Sequence, residues 1–246
     1  RIAALEALSA RDDAALLRST AVRLLADPAP GVREQAARVL VALAGPEAAA
    51  ATAPLIAHAD IGVRNLAGDV LARMGRPAVD ALRPYLDAAD KDVRKFAVDV
   101  LALLPAGPVA PFVAVRLADP DPNVVLAAVD ALGRLRASAY AADLRALYVR
   151  MPAARPNVVA ALGAMGRTRH LRFLEAALDD ADPVVQLAAT EALAGAEDTT
   201  EDTAARAHAL GALLRKVDAV DAMARPVVLS GIVRLLAHTG GPDGSG

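Results

Sequence analysis

Arginines and aspartates recur at matched positions along this chain, and their spacing is the first feature that could support binding chemistry. Arg33, Arg64 and Arg94 each follow a turn that contains aspartate. One interpretation is a row of guanidinium groups that grips an acidic ligand, because arginine binds carboxylates in bidentate fashion. The other is a structural ladder that ties successive turns together, with Asp60 and Asp90 among its acids. We favour the structural ladder.

A second recurring set of charged residues lies two positions before a leucine that returns about every 31 residues. We predict that this set, the charged row, forms a mildly acidic groove for a basic or mixed-charge segment of a partner protein. The alternative is a solvated face whose charges pair with each other four residues apart. The row positions are Glu6, Arg38, Asp69, Asp99, Asp130, Glu191 and Arg234. We include in the charged row Arg73 and Arg134, which lie four residues after Asp69 and Asp130.

An acidic stretch near the C-terminal end interrupts the pattern and predicts an insertion at about residues 196–206. It is either a loop particular to this chain or an additional binding element. Its candidate residues are Glu197, Asp198, Glu201 and Asp202.

The reactive residue types show no arrangement that is typical of catalysis. The chain has no cysteine, which excludes a thiolate nucleophile, a disulfide and a cysteine-bound zinc. No two of the four histidines have the i, i+4 spacing of metal ligands, and no serine lies in a nucleophile-elbow sequence. We therefore predict no catalytic residues, no metal and no cofactor, and a protein that is not an enzyme.

Composition also bears on nucleic acids, membranes and location. The formal net charge is −2 and only 2% of the residues are aromatic. Nucleic-acid binding favours a basic surface with aromatic stacking platforms, so we expect no nucleic-acid partner. Charges and prolines interrupt the most apolar stretch, so we predict no membrane insertion. We find no leader sequence, and we predict a cytoplasmic location.

The elements that must position these residues are helices in a repeat. Each period contains a shorter first helix, a turn rich in aspartate and proline, and a second helix with apolar residues on one face. Paired short helices bury their apolar faces by stacking, so we predict an all-α solenoid with the charged row along its concave face. The aligned leucines are Leu8, Leu40, Leu71, Leu101, Leu132, Leu162, Leu193 and Leu236.

The pattern Asp-Pro-x-Val-Arg-x-x-Ala, continued by an apolar stretch that ends in Leu-Gly, resembles the HEAT repeat. It is most similar to the short subtype named after phycobilisome lyase subunits. The resemblance implies a superhelix of about seven to eight two-helix repeats that binds another protein or a peptide segment. It leaves two alternatives, a subunit similar to chromophore lyases and, less favoured, a HEAT protein that binds nucleic acid.

The resemblance covers residues 1–238, which we predict to form a single solenoid. Its first repeat is incomplete, because residues 1–8 align with residues 33–40 of the following repeat. We expect the parent protein to extend upstream. Residues 239–246 are rich in glycine and predict a flexible tail or linker.

Overall fold

Alternating helices make up the fold in a computed structural model that describes residues 1–9, 13–104, 109–195, 203–217, 220 and 225–237. Within these ranges there are 15 α-helices and five 3-10 helices, and no strand is present. The all-α prediction is therefore confirmed. The α-helices are α1 (Ile2–Ser9), α2 (Ala14–Leu24), α3 (Pro30–Ala42), α4 (Pro46–Thr52), α5 (Ile61–Met74), α6 (Arg76–Leu82), α7 (Lys91–Leu101), α8 (Ala110–Ala114), α9 (Pro122–Arg134), α10 (Ala141–Arg150), α11 (Arg155–Met165), α12 (Arg167–Ala177), α13 (Pro183–Ala194), α14 (Thr203–Lys216) and α15 (Arg225–Ala237). The 3-10 helices are Ala53–Ala57, Arg83–Asp87, Val115–Ala118, Ser138–Tyr140 and Pro152–Ala154.

Packing between the helices follows the predicted two-helix repeat. The even-numbered helices are the first helices of the repeats and the odd-numbered helices are the second. Helix α3 packs against its own first helix, α2, and against α5 of the next repeat. In the same way, α13 packs against α12, α11 and α15. This arrangement confirms the α-solenoid fold class.

Proline explains why two of the first helices change geometry. Helices α4 and α6 continue as 3-10 helices that contain Pro54 and Pro84. A proline inside an α-helix has no N–H to donate and its ring crowds the preceding turn, so the α-helical pattern ends there.

Aspartates begin the second helices, as the sequence predicts. Asp60 caps α5 by accepting hydrogen bonds from the backbone N–H groups of Gly62 at 2.7 Å and Val63 at 3.2 Å. Asp90 caps α7 and Asp182 caps α13 through the same type of bond. Such caps satisfy backbone donors that have no partner within the helix.

The aligned leucines form the centre of the packing, with one correction. Those from Leu40 to Leu193 are fully buried, whereas Leu8 is only partly buried and Leu236 is 49% exposed. In α15 the buried residue at the matching position is Ile232, which is 7% exposed. The register predicted for the last repeat was therefore wrong, since Ile232 rather than Leu236 faces the preceding helices.

Small residues allow neighbouring second helices to approach closely. A methyl group on Gly163 in α11 would lie 2.6 Å from Cβ of Ala192 in α13. One on Gly133 in α9 would lie 2.8 Å from Cα of Ala161. Non-bonded carbon atoms rest at about 3.5–4.0 Å, so only glycine fits at these contacts. This packing accounts for the Ala-rich composition.

The helices divide into two compact units, residues 1–131 and residues 132–246. The single solenoid over residues 1–238 stays a prediction. The acidic residues 197, 198, 201 and 202 and the tail at 239–246 lie outside the described residues. Helix α14 begins at Thr203, so residues 203–206 of the predicted insertion are helical.

Candidate functional site

The structural ladder is represented in the first unit by a bidentate ion pair between Arg94 and Asp119. Nε of Arg94 donates a hydrogen bond to Oδ2 of Asp119, and Nη2 donates one to Oδ1, both at 2.9 Å. The side chains are only 11% and 1% exposed. This hydrogen bonding lowers the pKa of the Asp119 carboxyl below its ordinary value, although burial opposes the effect.

The same relation recurs at other repeats, and it corrects the predicted partners. Arg1 pairs with Asp27 at 2.7 Å in the first unit, and Arg155 pairs with Asp180 at 3.5 Å in the second. The ladder acids are therefore Asp27, Asp119 and Asp180. Each also accepts, at 2.9 Å, the backbone N–H two residues further along.

Asp60 and Asp90 were wrongly assigned to the ladder, because their carboxylates accept backbone N–H groups at the starts of α5 and α7. Sequence reasoning missed Asp119 and Asp180. The available signal was an acid two residues before the capping aspartate, as in Asp119 before Asp121 and Asp180 before Asp182.

The arginine position also makes contacts with backbone carbonyls within its own repeat. Nη1 of Arg33 donates to the carbonyl oxygens of Asp27 at 2.9 Å and Pro28 at 3.2 Å. Gln186 holds the matching position in α13 and donates to the Asp180 carbonyl at 2.7 Å. Glutamine can thus replace the carbonyl contact of arginine. Among the described residues no comparable contact is seen for Arg64.

Most of the charged row is exposed, but in several helices its charges pair with each other. In three successive second helices of the first unit, an acid and a base four residues apart lie within ion-pair distance. Pairs of this kind on an exposed helix surface contribute about 0.3–0.5 kcal/mol each. The self-paired alternative therefore describes these repeats. The pairs are Glu34–Arg38 at 3.6 Å, Asp69–Arg73 at 3.6 Å and Lys95–Asp99 at 2.8 Å.

Three predicted residues come together around one surface cavity of about 450 Å³ between α3 and α5. These are Arg38, Asp69 and Arg73. Arg33, for which the sequence favoured the structural ladder over an acidic ligand, lines the cavity as well. The remaining lining residues are Pro30, Glu34, Ala37, Gly62 and Leu66.

The other members of the charged row do not line this cavity; all are exposed except half-buried Asp99. Arg234 also leaves the row, because the register of Ile232 places Ser230 at the corresponding position. The residues outside the cavity are Glu6 in α1, Asp99 in α7, Asp130 and Arg134 in α9, Glu191 in α13 and Arg234 in α15.

Aromatic residues, scarce in the sequence, meet in the second unit. The rings of Tyr148 in α10 and Phe173 in α12 pack edge to face with centroids 5.1 Å apart. The Tyr148 hydroxyl donates to Asp180, and the guanidinium of Arg155 lies 5.2 Å from the Tyr148 ring. Burial, followed by the hydrogen bond to Asp180, raises the pKa of Tyr148 to about 12. This cluster joins the ladder acid of the second unit to two neighbouring helices.

Neither a metal cluster nor a membrane span is found in the part of the chain that the structure describes. Within that part, no three histidine, aspartate or glutamate side chains are grouped to hold a metal ion. None of its helices has the length and apolar character needed to cross a bilayer.

Comparison with protein families gives overlapping matches to HEAT repeats at residues 79–150 and 109–194. These matches include the Arg94–Asp119 contact and the Tyr148 cluster. None of the curated proteins compared with the chain matches it.

Several solved structures are similar to the chain at low sequence identity. The complex of CpcE and CpcF of phycocyanin lyase from Nostoc sp. PCC7120 is 18% identical, with 89% of this chain and 94% of that chain covered and a TM-score of 0.45. An engineered protein from the Northeast Structural Genomics Consortium is 22% identical, with 94% and 71% covered and a TM-score of 0.42. A designed armadillo repeat protein is 19% identical, with 88% and 99% covered and a TM-score of 0.34.

Proposed function

Because this chain is a HEAT-repeat protein, we propose that it is a non-enzymatic scaffold that binds a segment of another protein along the charged row. The observation that carries the proposal is the cavity between α3 and α5, which Arg38, Asp69 and Arg73 line together. The cavity lies on second helices, the helices on which the sequence predicts the binding face.

The balance of charges around the cavity favours a partner of mixed charge. Arg38 and Arg73 are about half exposed, and each lies 3.6 Å from the acid four residues earlier on its helix, a long distance for an ion pair. Such pairs are weak, so a partner's charged groups can replace them at little cost in free energy. Ala37 and Leu66 supply apolar surface between the charged groups.

The surface is also rigid, which reduces the entropy lost when a partner is ordered on it. Fully buried Leu40 and Leu71 anchor α3 and α5 at their centres, and the Arg1–Asp27 ion pair holds the turn before α3. A preorganised surface loses less conformational freedom on binding than a flexible loop does.

A selected peptide provides the first test. Random peptides displayed on phage are selected against the full chain, and the dissociation constant of the best peptide is measured by fluorescence anisotropy. The triple variant Asp69→Lys, Asp99→Lys and Asp130→Lys is expected to weaken binding by about tenfold or more, because it reverses charges along the row.

The control changes the same number of charges on first helices. It combines Glu47→Lys, Asp80→Lys and Asp143→Lys, all at exposed positions. The control is expected to bind like the unmodified chain. Equal losses in the two triple variants, or no loss in the row variant, would overturn the proposal.

A further inference from the structure

Arg33 occupies a ladder position whose acid is absent. Arg94 and Arg155 each pair with an aspartate 25 residues further along the chain. The residue 25 positions after Arg33 is His58, whose Nδ1 accepts the backbone N–H of Asp60 at 3.0 Å. Among the described residues, no carboxylate lies within the 4.0 Å ion-pair distance of Arg33.

The Arg33 guanidinium is nevertheless held in place. Its Nη1 donates to two backbone carbonyls, those of Asp27 and Pro28. Its Nε and Nη2 have no hydrogen-bond partner among the described residues. A fixed cation with open donors is suited to a planar anion, because the guanidinium offers two parallel N–H groups to a carboxylate.

The surroundings of Arg33 favour negative charge. Three arginines, Arg33, Arg38 and Arg73, line the cavity, against the two carboxylates of Glu34 and Asp69. Pro30, another lining residue, is the first residue of α3, and the N-terminal end of a helix carries partial positive charge.

Asp60, the acid on which Arg33 acts electrostatically, lies outside the cavity lining and is already engaged. Asp60 accepts the N–H groups of Gly62 and Val63, and these bonds lower its pKa, with smaller contributions from His58 and Arg33. Arg33 therefore acts on Asp60 through space, without the direct contact that Arg94 makes with Asp119.

We propose that the Arg33 end of this cavity binds a side-chain carboxylate, an aspartate or glutamate of the partner segment, in place of the missing ladder acid. This inference rests on the proposed function and adds the chemistry of one contact. It assigns Arg33 to partner recognition, whereas Arg94 at the matching position of α7 has a structural role.

Three blocked ten-residue peptides serve as probes: alternating Ser-Glu, Ser-Gln and Ser-Lys. They are titrated into the ¹⁵N-labelled full chain, and backbone amide shifts are followed at cavity residues such as Ala37 and Gly62. The Ser-Glu peptide is expected to shift these amides and the Ser-Gln peptide to leave them unchanged. Arg33→Gln is expected to weaken Ser-Glu binding by about tenfold, since a charge-assisted hydrogen-bond pair is lost.

Arg33→Gln separates the charge from the local hydrogen bond, because Gln186 makes the carbonyl contact at the matching position of α13. The variant removes the charge while the local hydrogen bond can persist, and its spectrum reports directly whether it is folded. The matched control is Arg64→Gln, at the aligned position of α5 but outside the cavity lining. Equal effects of the two substitutions, or equal shifts with the Ser-Gln or Ser-Lys peptide, would contradict the carboxylate site.

The two proposals fail in distinguishable ways. If the row variant abolishes binding of the selected peptide and Arg33→Gln has no effect on the Ser-Glu peptide, the scaffold stands and the carboxylate site is wrong. If Arg33→Gln weakens Ser-Glu binding but the row variant binds the selected peptide normally, the carboxylate site stands without the proposed binding face.

Discussion

Arg94 in α7 and Asp119 in the turn before α9 form a buried, bidentate ion pair that joins two successive repeats. Both nitrogen–oxygen distances are 2.9 Å, and the Asp121 N–H donates to the same carboxylate. Packing between helices fixes the second helices laterally, whereas this ion pair also holds the turn before α9 against α7. Removal of the pair should therefore affect stability more than removal of an exposed ion pair.

Arg94→Gln is expected to lower the free energy of unfolding by about 1.5–3 kcal/mol, the usual range for hydrogen bonds to a charged group. The Gln186 precedent indicates that the carbonyl contact survives, so the loss reports mainly on Asp119. Urea denaturation followed by circular dichroism measures it. The control is Lys95→Gln, which removes the half-exposed pair with Asp99 and should cost less than about 0.5 kcal/mol. Similar losses in the two variants would show that the buried pair has no special role.

Close contact between second helices leads to a second prediction. Gly163→Ala is expected to destabilise the fold by about 1–3 kcal/mol, because its methyl group would lie 2.6 Å from Cβ of Ala192. Adding Ala192→Gly removes the opposing methyl group and should restore most of the stability. The measurement is thermal and urea unfolding of the single and double variants.

The matched control for this contact is Gly211→Ala in α14. The nearest atom to its new methyl group would be Nη1 of Arg215 at 3.5 Å, the far end of a flexible side chain. With space available, replacing glycine by alanine within a helix should raise stability by about 1 kcal/mol. A stable Gly163→Ala protein, or a double variant no better than the single, would contradict the packing.

The sequence was sufficient for the fold because the repeat is periodic in apolar residues. It failed at α15, where Ile232 replaces leucine at the aligned position and Leu236 offers a misleading match. Residue identity alone cannot choose between them. The choice depends on contact between helices, as in the approach of Gly231 to Ala194.

The site was predictable in part for a related reason. Exposure of Arg38, Asp69 and Arg73 follows from their helical position relative to the buried leucine. The ladder was harder, because the turns before α9 and α13 each hold two acids two residues apart, Asp119 and Asp121 in one and Asp180 and Asp182 in the other. Backbone conformation decides which one caps the helix and which one faces the preceding arginine. In the same way, the open N–H donors of Arg33 follow from His58, which stands in the next turn where Asp119 and Asp180 stand in theirs.

Buried His170 predicts a pH-dependent stability in the second unit. The residue is 6% exposed, and Arg145 Nη2 lies 2.8 Å from its Nδ1. Arginine can only donate, so Nδ1 accepts and the imidazole is neutral. Burial lowers the pKa of His170, and the charges of Arg145 and Arg169 lower it further.

The sign follows from proton binding in the two states. In the unfolded chain the His170 pKa returns to its ordinary value of 6.5, so below that pH the unfolded state binds a proton that the folded state lacks. The free energy of unfolding should therefore fall as the pH is lowered through about 6.5 toward the depressed pKa of the folded state. Above pH 6.5 this contribution is fully present.

Urea denaturation at about pH 7.5 and pH 5.5 tests this, since those values bracket the ordinary titration of histidine. His170→Gln offers Arg145 an uncharged acceptor and should lose less stability between the two pH values than the unmodified chain. The control, His208→Gln, removes an exposed imidazole from α14 and tests whether the loss of any histidine changes the pH dependence of stability. An unchanged pH dependence in His170→Gln, or the same change in His208→Gln, would exclude His170 as the group responsible. A specific effect at His170 would place the acid-sensitive contact between α10 and α12, because Arg145 and His170 lie on those two helices.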